Sequence, residues 1–265
     1  MAAPGMYNSS PSSSSEATRR RARFDFRSNR GCERRVGEEA IRIRSKLFRS
    51  VIKWVVIGAA LLWSLAALML VAVRWIDPPT TAVQIERRVQ AWSQHTSYQK
   101  RYKFIPLNQI SPNLQHAVIA AEDANFYQHH GFDWHQIQIA AQEGMEGDRT
   151  RGASTLTQQL VKNLFFGTRR SILRKGAEAT LVPVAELVLG KRRILEIYLN
   201  VVEWGPGIYG AESACRHYET TPARNIGREQ AARLAAILPA PLKRRPERMN
   251  KYTAIILQRM GRVGW

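Results

Sequence analysis

The sequence predicts a mainly α-helical domain behind one N-terminal transmembrane helix, on three observations. Trp54 to Val73 is a run of 20 residues without a charge. Beyond it, apolar residues recur every three or four positions in one segment after another, the spacing of a helix face. No strand-like alternation of useful length interrupts them, which leaves room only for short hairpins around Phe104 and Asp148.

Residues 1–53 come first, with a Ser-rich patch from Ser9 to Ser15 and then an arginine-rich run. They carry 13 Lys/Arg against 5 Asp/Glu, net +8. So many charges with so few aromatics cannot bury enough surface to fold alone, so this tail reads as largely disordered, with partial helix near Glu38 to Phe48. A basic tail of this kind can bind nucleic acid. Its place beside an apolar run points to a plainer role, and no nucleic-acid partner is expected.

The run at residues 54–73 lies between Lys53 and Arg74 and contains Trp54 and Trp63. At about 1.5 Å per residue it reaches about 30 Å, the thickness of a hydrocarbon core. Secretory signals have shorter apolar stretches, about 7–15 residues, and a small-residue cleavage site, so this one is expected to be retained. The 13 basic residues on its N-terminal side place that end in the cytoplasm. The expected protein crosses the membrane once, with residues 74–265 forming one extracytoplasmic domain. That domain has 27 basic and 16 acidic residues, net +11, which suits membrane lipid or a phosphate-bearing substrate. Cys32 and Cys215 fall on opposite sides of the membrane and cannot pair within one chain, so Cys215 is expected to be a lone buried thiol.

Within the domain, Ser111-Pro112 caps a helix that carries Leu114, Val118 and Ala121, with proline at its first position. Thr155 and Gln158 fit a capping box for a helix with Leu156, Leu160 and Leu164 on one face and Thr155, Gln158 and Lys162 on another. From Arg170, the residues Leu173, Ala177 and Leu181 repeat every four positions beside a polar row of Arg170, Arg174 and Glu178, and Pro183 should end or kink that helix. Helices over 191–199, 209–218, 229–238 and 248–262 complete the set, and Pro239, Pro241 and Pro246 mark the last long loop.

Three short motifs mislead. Gly205-Pro206-Gly207-Ile208-Tyr209-Gly210 fits G-x-G-x-x-G, but no βαβ alternation surrounds it, so its glycines are expected to make a tight turn leading into a helix. Ser97-Tyr98-Gln99-Lys100 fits S-x-x-K without the K-T-G that transpeptidase chemistry needs. His129, His130 and His135 have no Cys or H-E-x-x-H partner and read as hydrogen-bonding groups, so no metal ligands are assigned.

The chemistry concentrates in three clusters. Val118-Ile119-Ala120-Ala121 leads into Glu122 and Asp123, followed by Phe126, His129 and Gly131. Taken alone, this is either an acid pair delivered to a cleft or the acidic last turn of an amphipathic helix. The second cluster runs Gly152-Ala153-Ser154-Thr155-Leu156-Thr157-Gln158-Gln159-Leu160-Val161-Lys162-Asn163. The third is Arg174-Lys175-Gly176-Ala177-Glu178, with Arg170 just before it.

In order and spacing these clusters resemble the first three motifs of the family 51 glycosyltransferases, the peptidoglycan polymerases. Those motifs read E-D-x-x-F-x-x-H-x-G, G-x-S-T-x-x-Q-Q-x-x-K-N and R-K-x-x-E. Lys191 to Asn200 looks like the family's fourth motif, and Gly205-x-Gly207-x-x-Gly210-x-x-x-Ala214-x-x-x-Tyr218 like the fifth. The segment from Glu229 to Pro241 is similar to the closing helix and proline loop. Coverage runs from about Val83 to the C-terminus, and with no transpeptidase segment in view the resemblance points to a monofunctional polymerase. Glu219 departs from the pattern, which usually has Phe after the Tyr, and this bears on packing beside Tyr218. The basic tail has no counterpart.

The resemblance implies a lysozyme-like helical glycosyltransferase domain that polymerises lipid II, with release of undecaprenyl pyrophosphate. A sugar hydroxyl is a poor nucleophile at neutral pH and needs a carboxylate to take its proton. The resemblance makes Glu122 that base; the residues alone do not separate it from Asp123, which is given a supporting, site-orienting role. Fixed cations stabilise a departing pyrophosphate, and Lys162, Arg170, Arg174 and Lys175 are the candidates, with Lys162 and Arg170 placed on donor phosphate by resemblance. Glu178 is one helical turn from Arg174 and could be only an i,i+4 partner. The resemblance makes it the second catalytic carboxylate, orienting donor phosphates directly or through Mg2+ or another divalent cation. Ser154, Thr155, Gln158 and Gln159 supply neutral donors to sugar or phosphate, with capping as a competing role for Ser154 and Thr155. Phe126, His129 and Asn200 read as supports. Expected partners are lipid II, the growing glycan chain, membrane lipid and other cell-wall synthesis proteins.

Two rival readings stay open. A membrane-anchored enzyme of lysozyme type would also suit a helical domain with an acidic Glu, although the basic cluster between the two glutamates argues against it. A non-catalytic membrane scaffold would have no use for three intact acid-and-base motifs.

Overall fold

The computed structural model describes residues 44, 46–145, 152–169 and 171–265. The chain divides into two compact units, Met1–Leu62 and Trp63–Trp265. Its first described element, α1, is the apolar helix Lys46–Ala72, long enough to cross a membrane. In the first unit this helix shows Leu47, Phe48, Trp54 and Leu62 to the surroundings.

The second unit is helical with one small sheet. After α1 come α2 (Ala82–Ser93), α3 (Pro112–Glu122), α4 (Trp134–Met145) and α5 (Leu156–Val161). A single π turn, Lys162–Phe166, follows α5 directly. Then come α6 (Ile172–Val201), α7 (Ala211–Tyr218), α8 (Arg228–Ala235) and α9 (Asn250–Arg262). Helices α2 and α4 were not expected from sequence, and the expected hairpin at Asp148 lies outside the described residues.

Near Phe104 there is a strand pairing in place of a hairpin. Strand β1 (Arg101–Tyr102) runs parallel to β3 (Ile208–Tyr209), which pairs antiparallel with β2 (Glu203–Gly205), giving the order β1-β3-β2. The tight turn expected of the glycine motif joins β2 to β3, and Gly210 opens α7. Gly207 has φ 73° and faces the Gln99 carbonyl so closely that no Cβ fits.

Helix α6 corrects one expectation. It continues through Pro183, whose side chain is exposed, and breaks at Gly190, where φ is +69°. Glycine takes that left-handed conformation with no steric cost, whereas an exposed proline removes one hydrogen bond without ending the helix here. The apolar row on α6 is only partly a core face: Leu181 is 1 % exposed, but Leu173 is 87 % exposed, while Glu178 of the polar row is 1 % exposed.

The core packs α3, α5, α6 and α8 around Trp204, Tyr198, Tyr209 and Phe126, all fully buried. Cys215 is buried there as a free thiol, and burial pushes its pKa up to about 12. Asn200 acts as a strut: its Oδ1 accepts from Ile105 N at 2.9 Å, and its Nδ2 donates to Ile105 O at 2.9 Å and Glu196 O at 2.8 Å. The unusual Glu219 accepts from Gln230 Nε2 at 2.9 Å, tying the end of α7 to α8. The last part of α1 is fastened to the domain, with Trp63 Nε1 donating to Thr180 Oγ1 at 2.9 Å and Leu70 fully buried.

Candidate active site

Helix α3 ends on Glu122, and Asp123 follows as its C-terminal cap with extended φ. The two adjacent carboxylates therefore diverge. Asp123 turns inward, where Oδ1 and Oδ2 lie 2.9 and 3.1 Å from His129 Nε2 and Oδ2 also accepts from Leu156 N at 2.9 Å. His129 Nδ1 accepts in turn from Gly131 N at 3.1 Å. Asp123 thus joins the end of α3 to the start of α5, where the helix dipole favours an anion.

Glu122 faces the site. Its Oε2 accepts from Gln159 Nε2 at 2.8 Å, and its Oε1 is buried with no hydrogen-bond partner among the described residues. Gln159 is itself oriented, because fully buried Tyr198 donates to its Oε1 at 2.9 Å. Burial pushes the Glu122 carboxyl above its ordinary range, and nearby Asp123 adds to the rise. The Gln159 hydrogen bond and the charges of Lys162 and Arg244 oppose it.

The second motif folds as expected at its start. Thr155 Oγ1 accepts from Gln158 N at 3.2 Å, Gln158 Oε1 accepts from Thr155 N at 3.3 Å, and the capping box opens α5. Thr155 Oγ1 also donates to Gly131 O at 2.7 Å, linking the first and second motifs. Both residues are buried, so their polar atoms mainly hold the backbone.

Lys162 lies at the junction of α5 and the π turn, an irregularity that often marks a functional position. Its amine is pulled below its ordinary pKa by burial, while Glu178 and Glu122 both oppose that shift. The charge of one cation is thus favoured by both carboxylates. Glu178 Oε1 accepts from Lys175 Nζ at 2.7 Å and Oε2 from Arg174 Nη1 at 3.4 Å. Lys175 Nζ also lies 3.5 Å from Ser154 Oγ and from Gln158 Oε1, joining the second and third motifs.

Of the residues picked out by sequence, the structure brings together Glu122, Gln159, Lys162, Ser154, Arg174, Lys175 and Glu178. Asp123, Thr155 and Gln158 stand behind them. Arg170 lies outside the described residues. Phe126 and His129 are supports, with Lys191 Nζ sitting 4.6 Å over the Phe126 ring. Two contributors were missed: Tyr198, present in the fourth motif without an assigned role, and Arg244, whose only sequence signal was its place in the proline loop. Arg244 Nη1 donates to Ala236 O at 2.9 Å and its guanidinium lies 5.4 Å from the Tyr252 ring centre.

Among the described residues no group of three or more His, Cys, Asp or Glu side chains could hold a metal ion. The Glu178 carboxylate already faces Lys175 and Arg174. Among the described residues, Glu178 is therefore a carboxylate that a divalent cation would share with Lys175 and Arg174.

Chemically, the site sets a carboxylate with one free, desolvated oxygen opposite fixed cations that would receive an anion. A family model described as "Transglycosylase" matches residues 88–261. A "Biosynthetic peptidoglycan transglycosylase" of Laribacter hongkongensis is 42 % identical over 225 residues, covering 80 % of this chain and 99 % of the relative. Proteins of the same description from Pseudomonas putida and Pseudomonas fluorescens are 44 % identical over 211 residues and 43 % over 201. These alignments cover 79 % and 76 % of this chain, and 87 % and 81 % of the relatives.

Proposed function

The chain belongs to the transglycosylase family, and from that premise we propose that it is a peptidoglycan glycosyltransferase. It joins lipid II units into glycan strands and releases undecaprenyl pyrophosphate. The observation that carries this reading is Glu122: one carboxylate oxygen is held by Gln159 and the other is buried without a partner among the described residues, while Lys162 feels the charge of both Glu122 and Glu178.

In the reaction, the acceptor's 4-hydroxyl oxygen bonds to the donor's anomeric carbon as the bond from that carbon to the pyrophosphate oxygen breaks. The hydroxyl proton passes to Glu122 Oε1. Burial makes this carboxylate a stronger base than a solvated one, so it takes a proton more readily as the bond forms. The negative charge that grows on the leaving pyrophosphate meets Lys162, Arg174 and Lys175, with Arg170 as a further candidate. Glu178 fixes Arg174 and Lys175 in position, and Ser154 and Gln159 face the sugar or phosphate groups. A divalent cation at this site would be carried largely by the pyrophosphate, with Glu178 as its protein ligand, and would supply further charge neutralisation.

Helix α1 serves as a single-pass membrane anchor. The basic tail argues for an inner-membrane protein with its N-terminus in the cytoplasm and its catalytic domain in the periplasm, where the growing glycan chain, membrane lipid and other cell-wall synthesis proteins are its partners.

Lipid II and preformed glycan, supplied separately, distinguish polymerisation from its rivals. Growth of labelled lipid II into chains supports the reading. Shortening of preformed glycan supports the lysozyme type, and no change in either supports a scaffold. The cluster of Lys162, Arg174 and Lys175 favours the polymerase, because cleavage of an uncharged glycosidic bond releases no diphosphate.

A further inference from the structure

Helix α2 is amphipathic in the reverse sense of an ordinary surface helix. Its inward side buries Val83 and Gln84 and also turns charged groups toward the protein. Arg87 Nε and Nη2 donate to the Glu203 carboxylate at 3.0 to 3.2 Å. Glu86 accepts from Thr168 N at 2.5 Å and from Thr168 Oγ1 at 2.9 Å. Its outward side carries Ile85, Val89 and Trp92, spaced i, i+4 and i+7, which are 52, 53 and 79 % exposed. A soluble domain turns such a stripe toward its core; an outward one marks a contact surface.

Three observations identify the occupant. The helix begins ten residues after α1 ends at Ala72, and the link between them is fastened to the domain. Arg193 Nε donates to Val73 O at 3.0 Å and Nη2 pairs with Asp77 at 2.8 Å, while Lys100 Nζ donates to Pro79 O at 3.0 Å. That link itself exposes Trp75 and Ile76. Second, the Thr168 loop held by Glu86 leads into Ile172 and Leu173, which are 91 and 87 % exposed. Two outward apolar patches thus flank one short loop. Third, exposed Arg88 sits within the stripe, and after burial its charge is the next cause that lowers the Lys100 pKa. Cations rimming an apolar stripe match anionic headgroups above acyl chains.

We propose that the outward face of α2 is a second membrane contact, lying in the plane of the bilayer interface with Ile85, Val89 and Trp92 immersed and Arg88 at the headgroups. Through Glu86 it would hold the Thr168 loop at the level of the lipid-linked phosphates.

The test places a polarity-sensitive fluorophore on Trp92→Cys in the full chain, in a Cys32→Ser background where fully buried Cys215 does not label. Val89→Cys is the second position, should the first variant fail to fold. Nanodiscs of phosphatidylethanolamine and phosphatidylglycerol carry a lipid quencher near the headgroup, and Leu65→Cys on α1 reports that the chain is embedded. The expected result is loss of about half or more of the fluorescence at position 92 or 89, comparable with that of an interfacial helix. Quenching at 65 without quenching at either α2 position overturns the proposal. So does an α2 probe that is shielded from water yet indifferent to the lipid quencher, which would indicate a second copy or a protein partner.

Discussion

The Nε2 of Gln159 stands 2.8 Å from Oε2 of Glu122 and leaves Glu122 Oε1 buried without a partner among the described residues. A carboxylate anchored by one oxygen and free at the other is set to receive a proton along one direction. Glu122→Gln keeps the shape and removes the acceptor. Polymerisation of labelled lipid II, followed on a gel, is expected to fall by about 100- to 10,000-fold, the usual worth of a general base, with the circular dichroism of the folded domain unchanged.

The same substitution has a consequence for stability. Burial raises the folded pKa of Glu122 above the ordinary 4.5, so the native state holds this proton more tightly than the unfolded chain. The stability from that proton is fully present below pH 4.5 and is lost as pH rises through the raised folded pKa. As pH rises the wild type therefore loses stability that Glu122→Gln, which does not titrate, does not lose. The variant's melting temperature relative to wild type is expected to be higher at pH 7 than at pH 4. A difference that stays constant across this range would contradict the raised pKa.

Gln159→Ala removes a hydrogen bond that favours the ionised carboxylate. The pKa of Glu122 should rise further, and the acid limb of the pH-rate profile should move to higher pH. Tyr198→Phe leaves the Gln159 amide in place but unoriented, and a smaller shift in the same direction is expected from the same profile.

Much of this site was readable in the sequence because its spacing is that of local structure. The capping box of Thr155 and Gln158 and the ending of α3 at the acid pair are properties of neighbouring residues, and both formed as expected. What escaped was set by surroundings. Helix α2 was missed because its polar residues face Glu203 and Thr168 across the fold, partners that its own sequence cannot disclose. The α6 row of Leu173, Ala177 and Leu181 resembled a core face, yet only Leu181 is buried, while Glu178 of the polar row is buried among cations. Arg244 influences Glu122 because α9 packs on α3, where Tyr252 donates to Ala121 O at 3.3 Å, and the Arg244 guanidinium lies over the Tyr252 ring.

Asp123 should behave differently from its neighbour. Its oxygens bind His129 and the first amide of α5, so Asp123→Ala leaves a buried donor at each place. A loss of about 1–3 kcal/mol per abandoned group is typical, and denaturant unfolding should show a clear destabilisation. A variant as stable as wild type would place Asp123 outside the framework.

Lys162 and Glu178 offer the sharpest test of a shared site. Burial pulls the Lys162 amine below its ordinary 10.5, and Glu178 is the largest influence pulling it back. Glu178→Gln removes that influence, so Lys162 should lose its proton at lower pH. Because only the charged amine can stabilise a departing diphosphate, the alkaline limb of polymerisation should move downward in pH, on top of a general loss of rate. Lys162→Arg, whose guanidinium stays charged throughout this range, should restore the alkaline limb in the Glu178→Gln background even where it leaves the rate low. If Glu178→Gln slows the reaction without moving that limb, the two residues do not act on one phosphate, and Glu178 is only a partner of Arg174 and Lys175 on its own helix.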